Sequence, residues 1–173
     1  MNSFVLCLAQ GLFLGRLPLA PGTFGTLLGL PWTAALLATG NIWLFCLGAL
    51  VGTFTSVWIC GQAEKILGQT DPGSVVYDEI VAVPMCFGAW IVFYLLREGQ
   101  LIPPYLLFGP RTWYWALGVF FLFRFFDILK PWPIRQSQEL AGGWGVTVDD
   151  LLAAIYVSLT LALLWSVGIR PAI

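Results

Sequence analysis

The polar residues of this chain come in short clusters separated by apolar runs of helical length, and no residue from Leu17 to Ala63 is charged. A charged side chain at a bilayer centre costs about 2.5 to 3.5 kcal/mol on insertion scales, so such a run is the mark of a chain dissolved in lipid. Spanning about 30 Å of hydrocarbon takes roughly 20 apolar residues, and five segments are predicted. The first covers about Thr23–Thr39. Gly40-Asn41 is a tight turn into the second, Ile42–Gly61. The third covers about Ile80–Leu96, with Pro84 predicting a kink or an early break. The fourth starts near Thr112 and ends before Pro131; the fifth is about Leu151–Ile169. Phe4–Leu14 is too short to span and predicts an interfacial helix. It resembles a signal peptide, but no Lys or Arg precedes it and Pro21 follows the only small-residue cleavage candidate, so it is expected to be retained. The expected fold is all-α: a polytopic membrane helical bundle of about five transmembrane segments plus a short N-terminal interfacial helix, forming one domain over residues 1–173.

Composition sharpens this picture. Hydrophobic residues make up 59% of the chain and charged ones 10%, against roughly 25% charged in soluble domains. The net charge of −1 supplies no basic field, which excludes nucleic acid as a partner. Cys7, Cys46, Cys60 and Cys86 stand singly in apolar stretches and read as small buried side chains rather than disulfide or metal frameworks.

Because consecutive spanning helices alternate direction, five segments sort the loops onto two sides. The N-terminal stretch, Gln62–Glu79 and Asp127–Asp150 share one side, which then holds eight of the nine acidic residues; Glu98 alone lies opposite. Arg16, Lys65, Arg124, Lys130 and Arg135 fall on the same side, and Arg97, Arg111 and Arg170 on the other. The positive-inside bias makes that side cytoplasmic.

Three acidic features carry candidate chemistry. Asp78-Glu79 opens the third segment and Asp149-Asp150 the fifth, in the parallel strings Asp-Glu-Ile-Val-Ala and Asp-Asp-Leu-Leu-Ala. One such pair is adequately explained by helix capping and the helix dipole. Two pairs plus Asp127 place five carboxylates on one face, where they repel one another unless protons or a cation intervene. A hard divalent ion is the usual answer, and Mg²⁺ takes carboxylates, waters and phosphate oxygens. Arg124, Asp127 and Lys130 recur every three residues along one helical stripe, as a salt-bridge ladder or as a phosphate clamp beside a metal ligand. In the following Pro-Trp-Pro-Ile-Arg, Trp132 is an interface anchor and Arg135 could reach a lipid phosphate. Pro-Gly-Thr-Phe-Gly-Thr (21–26) offers Thr23, Thr26 and exposed amides at a helix start as an anion site, although glycines there also serve close helix packing. Gly142-Gly143-Trp144-Gly145 reads as a flexible loop that lets Asp149 and Asp150 approach a ligand.

What is missing narrows the reaction. The sequence has no histidine, no cysteine followed six residues later by arginine, no Asp-x-Asp phosphatase start and no Walker glycine loop. Carboxylates with a metal remain.

Taken together, Pro-Gly-Thr-Phe-Gly-Thr (21–26), Asp-Pro-Gly-Ser-Val-Val-Tyr-Asp-Glu (71–79), Phe-Arg-Phe-Phe-Asp-Ile-Leu-Lys-Pro-Trp-Pro-Ile (123–134) and Gly-Gly-Trp-Gly-Val-Thr-Val-Asp-Asp (142–150) resemble the phosphatidylglycerophosphatase A family over about Pro18 to Tyr156. The resemblance implies a Mg²⁺-dependent lipid phosphatase of the bacterial inner membrane, its site facing the cytoplasm, that converts phosphatidylglycerophosphate to phosphatidylglycerol and inorganic phosphate. It implies Asp127, Asp78 and Asp149 as catalytic residues, and Asp78, Glu79, Asp127, Asp149 and Asp150 as metal ligands. Arg124, Lys130, Arg135, Thr23 and Thr26 are the expected substrate-binding residues. Whether Asp127 attacks phosphorus or positions a water is left open, as is the oligomeric state. Ala82 and Thr147 depart from the glycine and the bulkier apolar residue expected at those positions. The alternatives are a small transporter or scaffold with an acidic ion site, which should carry ionisable residues near mid-membrane, and a phosphatase of another lipid phosphate.

Overall fold

Helices account for every regular element of the computed structural model, which describes residues 2–171; no strand occurs among them. After α1 (Asn2–Ala9) and a 3₁₀ turn at Leu14–Arg16 come α2 (Pro21–Leu37), α3 (Ile42–Leu67), α4 (Tyr77–Cys86), α5 (Gly88–Glu98) and α6 (Pro104–Phe108). The chain continues through α7 (Trp113–Leu129), α8 (Ile134–Ser137) and α9 (Gly143–Ser166). Asn41 caps α3 by accepting from the Trp43 and Leu44 amides at 2.8 and 3.3 Å, and Gly40 takes φ +63, so the turn between α2 and α3 forms where the sequence predicts it.

The bundle is built around α4, which packs against α2, α3 and α9. Its interior residues are compact: Val81, Ala82, Val83, Pro84 and Cys86 are all buried. From the other side, α2 presents glycines at helical spacing. A Cβ on Gly29 would lie 2.6 Å from Val83 Cβ, and one on Gly25 would lie 2.7 Å from Val76 Cβ. Backbones therefore approach through small residues, the way apolar helices associate where lipid removes the hydrophobic drive. Against α9, α3 is tied by a buried 3.0 Å hydrogen bond between Ser56 and Thr147. The hydroxyl at Thr147, where a bulkier apolar residue is expected, thus has a polar partner, as a buried hydroxyl requires.

Pro84 has the expected consequence. The helix stops at Cys86, Phe87 separates α4 from α5, and the Ala89 amide near the break donates to Ser158 Oγ on α9 at 2.8 Å. Intramembrane breaks persist where a neighbouring side chain satisfies the released backbone groups. Beyond the break Trp90 is fully buried, edge-on to both Trp115 and Trp165, and anchors the end of the bundle remote from the acidic residues.

Three helical stretches are long and apolar enough to cross a membrane: Ile42–Leu67, Tyr77–Glu98 and Gly143–Ser166. In Tyr77–Glu98, 56% of the apolar stretch is buried within the bundle, against 22% in Ile42–Leu67; α4–α5 is central and α3 peripheral. The outer face of α3 exposes Trp43, Leu47, Leu50, Phe54 and Trp58, an apolar stripe suited to lipid. The expected second crossing differs in extent, since α3 runs on to Leu67; α7, 17 residues long as is α2, keeps the expected bounds of the fourth.

Other expectations are corrected. Residues 142–145 are not a flexible loop with Asp149-Asp150 opening the helix; α9 starts at Gly143, so this pair lies inside it. The cause is contact: a Cβ on Gly143 would collide with the Val57 carbonyl oxygen, so glycine seats the first turn of α9 against α3. The N-terminal helix ends at Ala9 and docks on α3 rather than running to Leu14, because Leu12 and Phe13 take positive φ. Cys46 is exposed on α3 and Cys7 half-buried, whereas Cys60 and Cys86 are buried; all four are free thiols.

Close helix contact at Gly29 generates a test. Gly29→Leu is expected to lower stability in detergent by about 2 kcal/mol through overpacking against Val83. Gly118→Leu on α7, where nothing lies within 4 Å of an added Cβ, is expected to leave thermal melting unchanged. Equal melting of the two variants would contradict the packing scheme.

A carboxylate-lined cavity as the candidate functional site

At one end of the bundle the starts of α2 and α4, the end of α7 and the second turn of α9 surround a cavity of about 300 Å³. Asp78, Glu79, Asp127, Asp149 and Asp150 all line it, together with Asp71 from the loop before α4 and the cations Arg124 and Lys130. Both acidic pairs therefore face one space. Six carboxylates meet two cations there, and the formal excess of negative charge is large for a site in which Asp78, Glu79, Asp149 and Asp150 are each less than a tenth exposed.

Arg124 organises one half. Its Nη1 lies 2.8 Å from Glu79 Oε1 and 2.8 Å from Asp127 Oδ2, and 3.5 Å from Thr26 Oγ1. One guanidinium thus holds α4, α7 and α2 together. Room for it comes from α2: a Cβ on Gly22 would sit 2.8 Å from the Arg124 nitrogens and collide with Glu79, and one on Gly25 would collide with Glu79 Oε2. The glycines of residues 21–26 thus serve the helix contact and the ion pair. Pro21 and Gly22 line the cavity, so the positive end of the α2 dipole lies at its wall.

Lys130 organises the other half, from a different geometry than the sequence suggests. It is not a further step of the α7 stripe but its cap, with φ +45, and its Nζ donates to Asp149 Oδ2 at 2.6 Å. A left-handed lysine costs on the order of 1 kcal/mol, and the conformation turns its ammonium from Asp127 toward α9. Burial opposes the Lys130 charge, but the Asp149 hydrogen bond and the charges of Asp149, Asp127 and Asp71 outweigh it and raise its pKa above the ordinary lysine value. It is a fixed cation at neutral pH.

Two residues escaped the sequence reading. Gln138 Nε2 donates at 3.0 Å to both Asp71 Oδ2 and Asp149 Oδ2, joining the loop before α4 to α9. Asp71 itself takes φ +47, with its amide donating to Glu64 Oε1 at 2.9 Å. Asp71 lies in the motif at 71–79, which was a signal; Gln138 had none. Conversely, two expected binding residues do not line the cavity. Arg135 is exposed on α8, and the start of α2 brings Gly22 rather than Thr23 to the wall. Thr26 reaches the site only through Arg124, its hydroxyl donating to the Gly22 carbonyl at 2.9 Å.

All the acidic donors are carboxylate oxygens, hard ligands of the kind Mg²⁺ takes. Asp78 Oδ1 and Glu79 Oε2 are buried without a hydrogen-bond partner, as is Arg124 Nε. Buried polar atoms without partners mark places where a ligand, ion or water is expected. The donor chemistry fits a hard divalent cation. Among the described residues no three acidic side chains are grouped as a ready-made metal shell, because Arg124 draws Glu79 and Asp127 to itself and Lys130 draws Asp149. Asp149 and Asp150 lie in the second turn of α9; beyond them α9 carries no Asp, Glu, Lys or Arg, and neither does α2 or the part of α3 before Glu64.

Residues 7–165 match the family model described as Phosphatidylglycerophosphatase A. A phosphatidylglycerophosphatase A of Haemophilus influenzae is 37% identical over 150 residues, covering 86% of this chain and 81% of that protein. The phosphatidylglycerophosphatase A of Escherichia coli is 33% identical over 150 residues, covering 86% and 76%. A Bacteroides thetaiotaomicron protein named as a proposed phosphatidylinositol-3-phosphatase is 34% identical over 160 residues, covering 89% of each. No solved structure matches the chain.

The Arg124 bridge generates a test. Arg124→Gln leaves Glu79 and Asp127 without their shared cation and is expected to cost about 3 kcal/mol in detergent, the lower end for breaking a buried pair. Adding Glu79→Gln should restore part of that loss. Additive losses in the double variant would show that the two side chains do not interact.

Proposed function

The chain belongs to the phosphatidylglycerophosphatase A family, and from that premise we propose that it hydrolyses phosphatidylglycerophosphate to phosphatidylglycerol and inorganic phosphate, with Mg²⁺, at the carboxylate-lined cavity. The observation that carries this reading is the convergence of both acidic pairs, Asp127, Arg124 and Lys130 on one space. The residues that would hold Mg²⁺ are Asp78, Glu79, Asp127, Asp149 and Asp150. Bound there, the ion supplies Lewis acidity that offsets charge on the phosphate oxygens.

The remaining work falls to the protein's own groups. Arg124, through its unpartnered Nε–H, and Lys130 attract the phosphomonoester into a space otherwise lined by acids. Gln138 fixes Asp149, and Arg124 fixes Asp127, so that the carboxylates do not reorganise during reaction. Asp78, Asp127 and Asp149 are the catalytic candidates, Asp127 standing at the cavity wall as attacking group or as base toward water. The bond between phosphorus and the terminal glycerol oxygen breaks, the phosphoryl group ends on a water oxygen, and the departing alkoxide takes up a proton.

We place the protein in a bacterial inner membrane with the cavity facing the cytoplasm. The apolar helices, the bacterial relatives and the excess of Lys and Arg on the cavity side support that placement. In this reading α2 and α7, at 17 residues each, complete a bundle of about five crossings, within the range of roughly 17 to 25 residues that spanning helices take. The name of the Bacteroides relative supports a second reading, hydrolysis of an inositol lipid phosphate through the same cavity.

Phosphate release by purified protein is expected from phosphatidylglycerophosphate and not from phosphatidylinositol 3-phosphate; the reverse preference would favour the second reading. Excess chelator should abolish release and Mg²⁺ restore it, whereas full turnover in chelator would rule out the metal. Asp127→Asn is expected to lower the rate by several hundredfold, the equivalent of about 3 to 4 kcal/mol of transition-state stabilisation. As mere loss of the Arg124 ion pair it would cost stability, at most the about 3 kcal/mol expected for Arg124→Gln, and leave the rate nearly intact.

A further inference from the structure

Along α2 and α7 the polar cavity is followed by an apolar groove, and we propose that this groove seats an acyl chain of the lipid phosphomonoester. The groove holds about 240 Å³ and is lined by Leu27 and Leu30 of α2, by Phe108, and by Trp113, Leu117 and Phe120 of α7. The same face of α7 serves both spaces. Positions 113, 117 and 120 line the groove, and 124, 127 and 128 line the cavity, an unbroken run at helical spacing. On α2 the stripe runs from Ala20 at the cavity to Leu27 and Leu30 in the groove.

Depth agrees with a lipid whose phosphate lies beside Arg124. At 1.5 Å per residue, Phe120 is about 6 Å and Trp113 about 16 Å along α7 from Arg124, which is where acyl carbons of a lipid held by its headgroup would lie. Ile128, 74% exposed at the cavity wall, and Leu27, 44% exposed in the groove, leave the seam open to surrounding lipid.

The neighbouring apolar spaces lack this connection. One of about 350 Å³ lies between α1, α2 and α4, but Gly22 and Gly25 of α2 are packed directly against Glu79 and Val76 of α4 and close that seam. A larger one along α3, at Phe54 and Trp58, is lined by α3 and Gly142-Gly143 and by no residue of α7, the helix that carries Arg124. A chain attached to a phosphate at Arg124 has its open apolar path between α2 and α7.

The inference rests on the lipid phosphatase reading, so its test separates the two. Wild-type protein in nanodiscs is photolysed with phosphatidylglycerophosphate carrying a diazirine in the middle of one chain, and the labelled peptides are mapped. Adducts are expected on residues 27–30 and 113–120; adducts confined to Phe54 and Trp58, or spread evenly over the lipid-facing helices, would overturn the groove. Labelling needs no turnover, so it decides the groove even if the lipid is not hydrolysed, a result that would sink the phosphatase reading alone. Hydrolysis of dioleoyl and dihexanoyl phosphatidylglycerophosphate is then compared in Leu27→Trp and Leu117→Trp. Filling the groove is expected to cut the preference for the long-chain lipid about tenfold, the worth of contact to roughly two methylene groups. Leu159→Trp, at a 62% exposed position of α9 remote from the groove, should leave the preference unchanged. An unchanged preference in both groove variants, with hydrolysis retained, would also overturn the proposal.

Discussion

Everything at the polar end depends on Arg124 holding Glu79 and Asp127 at once, 2.8 Å from each. Two like charges 4 Å apart repel by about 4 kcal/mol even at an effective dielectric of 20, and this cavity gathers six carboxylates with two cations. Without a bridging guanidinium, α4 and α7 would each bring an uncompensated acid to their junction. Arginine suits the position because its fork binds two partners while staying protonated. The glycines of α2 are the structural counterpart, since any side chain at Gly22 would occupy the space in which Glu79 and Arg124 meet.

Rigidity at the other end makes that arrangement durable. The aromatic contacts around Trp90, the break after Pro84 and the Ala89–Ser158 hydrogen bond fix how α4–α5 lies against α9. Both helices carry acids at the cavity, so a slip of α4 along α9 by one turn, about 5.4 Å, would carry Asp78 and Glu79 away from Asp149 and Asp150. Apolar packing deep in the bundle thereby sets the spacing of charges at its surface.

The helical class was legible, and each acidic pair stood out because an acid is conspicuous in an apolar sequence, although Asp149-Asp150 lies inside α9 rather than at its start. The turn at 40–41 and the break near Pro84 were legible from local chemistry alone. The start of α9 was not. Gly142-Gly143-Trp144-Gly145 looks like a loop until α3 is in place, and only then does the missing Cβ at Gly143 become a helix contact. Lys130 kept its role as a cavity cation but not its partner, because the sequence spacing assumes α7 continues and the chain leaves it at Leu129. Thr23 was expected from the helix-start motif at 21–26 and Arg135 from the stretch at 131–135, and neither lines the cavity. Gln138 is an ordinary amide in sequence; its role arises from bringing Asp71 and Asp149, far apart in the chain, within reach of one side chain.

The two acidic pairs look equivalent in sequence and are not equivalent in space. Each pair is divided. In the first, Glu79 binds Arg124, while among the described residues Asp78 has no cation within ion-pair distance and its buried Oδ1 has no hydrogen-bond partner. In the second, Asp149 binds Lys130 and Gln138, while Asp150, 3% exposed, has no ion pair among the described residues. The two cations of the cavity thus each pair with one member of an acidic pair, and no described side chain neutralises Asp78 or Asp150. Burying an isolated carboxylate as an anion is far too costly to persist, so these two either take up protons or share a cation brought from solution. Under the proposed function, a phosphomonoester approaching Arg124 and Lys130 would raise the negative charge of the cavity further and favour the cation. The division of each pair therefore explains why charge compensation inside the protein stops short of completion. Under the proposed function, that residual demand is one that a divalent ion beside the phosphate would meet.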